Sequence, residues 1–253
     1  VTGLDLTENN LHGKLPEDLK YMTNLVQLIL SKNFIQGQIP AGLFSNFQSM
    51  STLYLDENYL NGQVPDELGH LLLLRNLDLH DNSLRGTIPN AFNILTDLVD
   101  VRLQNNEFYG DIPDVFGAMT NLRVFLAGNN EIKSIIPASL AASPHLGALH
   151  LHDNELHGSI PEFRSAELKQ LHLDGNSLEG SLPLLVAPSP SILEELRLEN
   201  NKLSGEVSST LGDQTSLTIL QLQGNKLTGS VPDSVCLLKT EHKLQRLTVV
   251  CEG

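Results

Sequence analysis

Cations are scarce in this chain: 16 Lys and Arg stand against 30 Asp and Glu, for a formal net charge of -14. That balance excludes a nucleic-acid binder, because phosphate contacts need clustered Lys and Arg. Tryptophan is absent, aromatics make up 5% of the 253 residues, and there are only two cysteines. Apolar streaks are short, Leu71 to Leu74 being among the longest, whereas a membrane-spanning helix needs about 18 or more consecutive apolar residues. No basic segment followed by an apolar stretch opens the chain, so no signal peptide is expected within it. The signatures G-x-S-x-G, Walker A, G-x-G-x-x-G and H-E-x-x-H are all missing, so neither an enzymatic activity nor a cofactor is expected. Apolar residues, by contrast, make up 40%, too many for a disordered chain. Leucine alone occurs 50 times, a bias that calls for a search for internal repeats.

The repeat is L-x-x-L-x-L-x-x-N-x-L-x-G-x-I-P. Its Asn column holds Asn9, Asn33, Asn58, Asn82, Asn106, Asn130, Asn154, Asn176, Asn201 and Asn225, at spacings of 22 to 25 residues. Gly follows four residues later in nine of ten repeats, with Ser134 as the exception. Pro follows seven residues after the Asn, also nine times, with Ser208 as the exception.

Each column has a physical reading. L-x-L alternates with period two, so one face is buried and each repeat supplies one short strand. Stacked repeats then make a parallel sheet. The Asn amide both donates and accepts, so the ten asparagines form a ladder that satisfies backbone groups of their own and adjacent coils. Gly permits backbone conformations closed to other residues, and Pro starts the return path. No repeat buries its own face alone, so stability comes from neighbour stacking. The expected fold is an α/β repeat: a right-handed leucine-rich-repeat solenoid with a parallel concave β-sheet and a short 3-10 or irregular convex side. Residues 1–232 hold the ten repeats. Val1 already occupies the first apolar column, so either a capping segment precedes it or the first coil is exposed. Residues 233–253, where the motif decays, read as a C-terminal cap. A Cys236–Cys251 disulfide is expected there, since a Cys pair confined to a cap fits an oxidising compartment. Two buried thiols are the alternative.

The N-x-L-x-G-x-[IVL]-P signature and the Cys-bearing cap resemble the plant-type extracellular leucine-rich repeat. The resemblance covers essentially the whole chain. It implies a receptor-like kinase or receptor-like protein ectodomain, or a secreted protein similar to the polygalacturonase-inhibiting proteins, located outside the cell or at its surface.

Function is expected on the concave face, where residues differ from repeat to repeat over a regular scaffold. The column between the two inward leucines reads Asp5, Ile29, Tyr54, Asp78, Arg102, Leu126, His150, His172, Arg197 and Gln221. Three patches stand out. Tyr54, Asp78, His80 and Arg102 form one, Tyr and Arg being enriched at interface hot spots; a mixed solvated surface is the other reading. Val124, Leu126 and Ala148 form an apolar patch, unless Leu126 turns inward to replace the small Ala127. His150, His152 and His172 with Asp174 form the third. Local carboxylates Asp153, Asp174 and Glu199 lead us to expect these histidines to become cationic below about pH 6.5. Flat sheets rarely converge ligands, so no metal site is expected. Asp56-Glu57-Asn58 starts like a calcium loop, but its fifth position is the core residue Leu60.

The function read from this surface is recognition of a protein or peptide by a monomeric module. A free secreted inhibitor of a polysaccharide-degrading enzyme is one alternative. A surface-adsorbing protein, for ice or polysaccharide, is another; it would favour one residue type in an exposed column. The column His12, Gln36, Asn61, Arg85, Tyr109, Lys133, His157, Glu179, Ser204 and Thr228 is not uniform.

Overall fold

The computed structural model describes residues 1–183, 185, 191–241 and 244–247. Each repeat places three residues in a strand: β1 (Gly3–Asp5), β2 (Gln27–Ile29), β3 (Thr52–Tyr54), β4 (Asn76–Asp78), β5 (Asp100–Arg102), β6 (Val124–Leu126), β7 (Ala148–His150), β8 (Gln170–His172), β9 (Glu195–Arg197) and β10 (Ile219–Gln221). They lie side by side in chain order, and β11 (Arg246–Leu247) extends the row to eleven parallel strands. The region read as a cap thus contributes a strand of the main sheet. Leu244 and Leu247 carry an L-x-x-L remnant short enough to be missed, and Leu247 stands opposite Leu220.

Register is strict. Leu28 stands opposite Leu53, and Leu53 opposite Leu77, all fully buried. Period two sends their neighbours Ile29, Tyr54 and Asp78 to the opposite face. The core runs along the solenoid as a single cluster of such columns, closed on the far side by Leu43, Leu68, Phe92, Phe116 and Leu140.

The return path is built from short 3-10 turns at Glu17–Tyr21, Ala41–Asn46, Asp66–His70 and Asn90–Ile94. Each follows an extended Pro, with φ between -76 and -60. Proline's fixed φ suits that entry, and its missing N–H leaves nothing unsatisfied. Ser208 does the same work differently: its hydroxyl accepts from the Thr210 N–H at 3.3 Å, an N-cap in place of proline.

The ladder asparagines tie coil to coil. Asn58 donates through Nδ2 to the carbonyls of Leu30, Leu55 and Asp56 at 2.9, 3.2 and 2.9 Å, while its Oδ1 accepts from the Ile35 N–H at 3.0 Å. Asn201 repeats this with the Leu173, Leu198 and Glu199 carbonyls and the Leu178 N–H. The Asn9 side-chain amide, in the first coil, donates only to the Thr7 carbonyl, while its backbone N–H donates to Asn33 Oδ1. The residue before each ladder Asn turns the chain through a left-handed conformation, with φ of 51 at Asp81, 57 at Asn105 and 64 at Gly175. Asn, Asp and Gly carry the smallest cost there, which explains their recurrence in that column.

Repeat six departs from the pattern. Its Ser134 is not among the positive-φ residues, whereas the glycines of the same column are. The Ser134 hydroxyl instead accepts from the Ile112 N–H at 3.1 Å and donates to the Ile135 carbonyl at 2.7 Å. The lateral sheet divides at this point, into six strands up to Glu131–Ile132 and four from His157–Ser159 onward. On the concave side there is no slip. Leu126 pairs with both Arg102 and His150 and stays half-buried on the concave face. Phe125 points inward, is fully buried and meets Phe116 edge-on at 5.1 Å.

A helix, α1 (Ala138–Ala141), replaces the 3-10 turn in repeat six. A second, α2 (Asp233–Glu241), packs on the turn at Ser209–Asp213 with Val235 and Leu238 buried. Cys236 lies on α2, and Cys251 falls outside the described residues. We propose that residues 233–253 act as a cap closed by a Cys236–Cys251 bridge. Non-reduced peptide mapping is expected to recover the two cysteines linked, and reduction to lower stability by about 3 kcal/mol on the chain-entropy view. Recovery of both as free thiols from native protein would overturn the pairing.

Candidate functional site

The alternation that buries the leucines puts Tyr54, Asp78, Arg102, Leu126, His150, His172 and Arg197 in one row across β3 to β9, each opposite the next. His80, His152 and Asp174 lie two residues further along their chains, where period two returns them to the same face.

In the first patch Asp78 is nine-tenths buried, and its Oδ1 meets the His80 Nδ1 at 2.5 Å and the His80 N–H at 3.2 Å. That bond, with the charges of Asp78, Asp56 and Asp81, holds the His80 imidazole above its usual pKa. Arg102 donates to both oxygens of Asp100 at 3.0 Å, and its Nε stands 4.0 Å from Asp78. Tyr54 is half-buried beside this network, and burial raises its phenol pKa. The patch is an ordered charge network rather than a loose solvated surface.

In the third patch the rings of His150 and His172 stack face to face, 3.9 Å between centroids and 12° from parallel. Parallel rings aim their in-plane lone pairs along parallel lines, so the pair does not converge on one ion. The His172 Nε2 lies 3.0 Å from Glu195, which also accepts from Arg197 at 2.7 Å and from Gln170 at 3.3 Å. His150 Nε2 meets the Gln170 Oε1 at 3.2 Å. His152 tilts against both rings at 6.1 and 6.3 Å and lies across Gly128, where a Cβ would strike its ring.

The expectation that these histidines charge below about pH 6.5 is reversed for two of them. Burial first, and then the charge of His152, lowers His150 to about 4. Burial first, and then the charges of His150 and Arg197, lowers His172 to about 3. The carboxylates cited as counterweights are themselves compromised, because burial raises the pKa of both Asp174 and Glu199. The nearer acid, Glu195, is shared with Arg197 and Gln170. Burial thus keeps these two stacked rings neutral through the mildly acidic range.

Asp56, Asp100, Gln170 and Glu195 belong to these networks and were absent from the candidate set. The signal that finds Asp100 and Glu195 is acid and base two residues apart on one strand, with Arg102 and Arg197; Asp56 and Gln170 carry no such signal.

Comparison with known proteins agrees with this architecture. The Leucine Rich Repeat family model matches residues 49–71, 73–95, 193–213 and 216–238. The chain is similar to leucine-rich-repeat proteins of the plant extracellular type. Over 40 residues it is 48% identical to the receptor-like protein CLAVATA2 of Arabidopsis thaliana, a stretch that is 16% of this chain and 6% of that protein. The ectodomain of the Arabidopsis receptor kinase HAESA, solved with an IDA peptide hormone, superposes with a TM-score of 0.87 at 30% identity, over 99% of this chain and 43% of that one. A plant ice-binding protein superposes with a TM-score of 0.80 at 27% identity, over 93% of this chain and 76% of that one. The chain thus spans less than half of the receptor proteins it resembles. Among the described residues no helix is long and apolar enough to cross a membrane.

Proposed function

We propose that this chain is a recognition module that takes a protein or peptide on its concave face, outside the cell or at its surface, as a single copy. The observation that carries the reading is the row Tyr54, Asp78, Arg102, Leu126, His150, His172 and Arg197. It changes chemistry at every step but one, from His150 to His172, while the column beneath it stays apolar throughout. Bonds within and between repeats hold Asp78, Arg102, His150, His172 and Arg197 in place, so less side-chain entropy is lost there when a partner docks. The HAESA ectodomain, of the same fold at 30% identity, is solved with a peptide hormone. The likeness to receptor ectodomains and binding proteins also favours binding over catalysis.

An adsorbing function is the second reading, supported by the ice-binding relative. The mixed lateral column from His12 to Thr228 works against it, because a lattice is matched by repetition of one spacing and one chemistry. A secreted enzyme inhibitor would use the same concave face as a receptor and differs only in partner.

The test is a screen of peptides and secreted proteins for binding, followed by Tyr54→Ala and Arg102→Ala. Each is expected to weaken the partner by about 1–4 kcal/mol while the melting temperature barely moves. A partner that binds the double variant with unchanged affinity would remove this patch from the site. Inhibition of ice recrystallisation by the wild-type chain would favour the second reading.

A further inference from the structure

We propose that Asp56, Asp78 and His80 form a binding site for a divalent transition-metal ion of the zinc class. The ligands come from two adjacent coils: Asp56 follows β3, while Asp78 ends β4 and His80 lies two residues beyond it. The backbone bond from the Glu57 N–H to the His80 carbonyl, 2.9 Å, holds the two coils in register at this point.

Three observations carry the proposal. The first is convergence: one ligand atom from each of the three side chains lies within 4.8 Å of the others. The flat sheet achieves this because Asp78 and His80 share a face on one strand while Asp56 reaches across from the next. The second is depth. Asp56 and Asp78 are 6% and 8% exposed, so their rotamers are limited and part of the ordering cost is met before an ion arrives. Ser31 fixes Asp56 from the other side through a 2.6 Å bond to Oδ1, the kind of outer support that orients a ligating carboxylate. The third is charge. Asp56, Glu57, Asp78, Asp81 and Asp100 crowd this part of the face, and among the described residues Lys32 and Arg102 oppose them besides His80. Arg102 is engaged with both oxygens of Asp100. A dication answers that surplus where a lone imidazole does not.

The donor set selects the ion. One imidazole nitrogen with two carboxylate oxygens suits zinc and its first-row neighbours, whereas calcium and magnesium favour all-oxygen shells. Binding displaces the proton between His80 Nδ1 and Asp78 Oδ1 to solvent, so uptake releases protons. Three protein ligands leave a coordination position facing the concave groove. The calcium-loop reading of Asp56-Glu57-Asn58 fails locally, since Asn58 is committed to the ladder; Asp56 finds its co-ligands one coil away.

The experiment is titration of chelator-stripped protein with Zn²⁺, followed by calorimetry and by NMR of the histidine ring protons. One ion per chain is expected, with the His80 ring signals moving and those of His150, His152 and His172 holding still. Ca²⁺ and Mg²⁺ at the same concentration should leave the spectrum unchanged. His80→Gln and Asp78→Asn should each weaken Zn²⁺ by at least about tenfold. Circular dichroism checks folding, and the more exposed His80 carries the test if Asp78→Asn unfolds. No binding at millimolar Zn²⁺, full binding by His80→Gln, or movement of the His150 group instead would overturn the site. No partner is involved, so failure here leaves recognition on the concave face standing.

Discussion

Asn58→Ala is expected to destabilise the protein by about 2–3 kcal/mol, where Asn9→Ala costs less than about 0.5 kcal/mol. Both remove the same side chain from the same column. Asn58 is 6% exposed and makes four bonds, two of them to the preceding coil through the Leu30 carbonyl and the Ile35 N–H. Alanine leaves the Ile35 N–H without its partner in a site closed to water, and an orphaned buried group costs about 1–3 kcal/mol; the Leu30 carbonyl loses its cross-coil bond but keeps the one from Asn33 Nδ2. The Asn9 side chain makes a single exposed bond within its own coil, and solvent replaces it, while its backbone bond to Asn33 Oδ1 survives in alanine. Stability in a solenoid is a sum over neighbouring coils, so a break between coils two and three also weakens their coupling. The urea transition of Asn58→Ala should therefore shift to a lower midpoint and become shallower, as the two sides begin to unfold separately. Equal midpoints for the two variants would mean that the ladder contributes nothing through its cross-coil bonds.

Acidification from pH 7 to pH 4 is expected to cost the wild type more stability than a His150→Asn/His172→Asn variant. The two histidines sit at about 4 and about 3 in the folded chain, against about 6.5 when unfolded. Between those values the unfolded chain binds more protons than the folded one, so stability rises with pH across the window. The stabilisation is complete above about pH 6.5 and is lost progressively as pH falls toward the folded values. The ceiling is about 1.4 kcal/mol per pH unit for each histidine. Solvent on the open side of the concave face screens the charge, so the realised slope is a fraction of that ceiling. Gln170, Glu195, Arg197 and His152 face the pair and remain in the variant, so the difference between the two curves isolates the stacked rings. Parallel curves from pH 4 to 7 would show that the rings are not held neutral by burial. A wild type gaining stability on acidification would reverse the sign altogether.

Much of this was legible in the sequence because a solenoid is nearly one-dimensional. A period of about 24 residues gives the coil and a period of two within L-x-L gives the strand and its buried face. Together they assign Leu53 to the core and Tyr54 to the groove before any coordinates exist. The Asn column and the Pro column are equally local, since each asks only what its own turn requires. Even the exceptions were visible as letters: Ser134 and Ser208 break their columns. What they do instead was not visible. Ser208 caps a turn through its hydroxyl and preserves the pattern, while Ser134 coincides with a division of the lateral sheet.

The chemistry of the concave face was decided between coils. A list of columns places His150 beside His172, but whether the rings repel, chelate or stack depends on rotamer and depth, and these are set by neighbours on both sides. Burial of the stacked rings, and then the charges around them, turned a patch expected to become cationic below about pH 6.5 into one that stays neutral there for His150 and His172. Asp56 and His80 lie 24 positions apart in the chain and fall in separate repeats; only the register of the sheet brings them together. The strand at Arg246–Leu247 shows the same limit, because its motif is too short to read alone and it pairs only where β10 offers an edge. The sequence by itself determined the coil, its core and the face it exposes, since these follow from periodicity and burial. Tertiary structure decided which exposed side chains meet and which stay neutral, because contact and desolvation are properties of adjacent coils rather than of any one repeat.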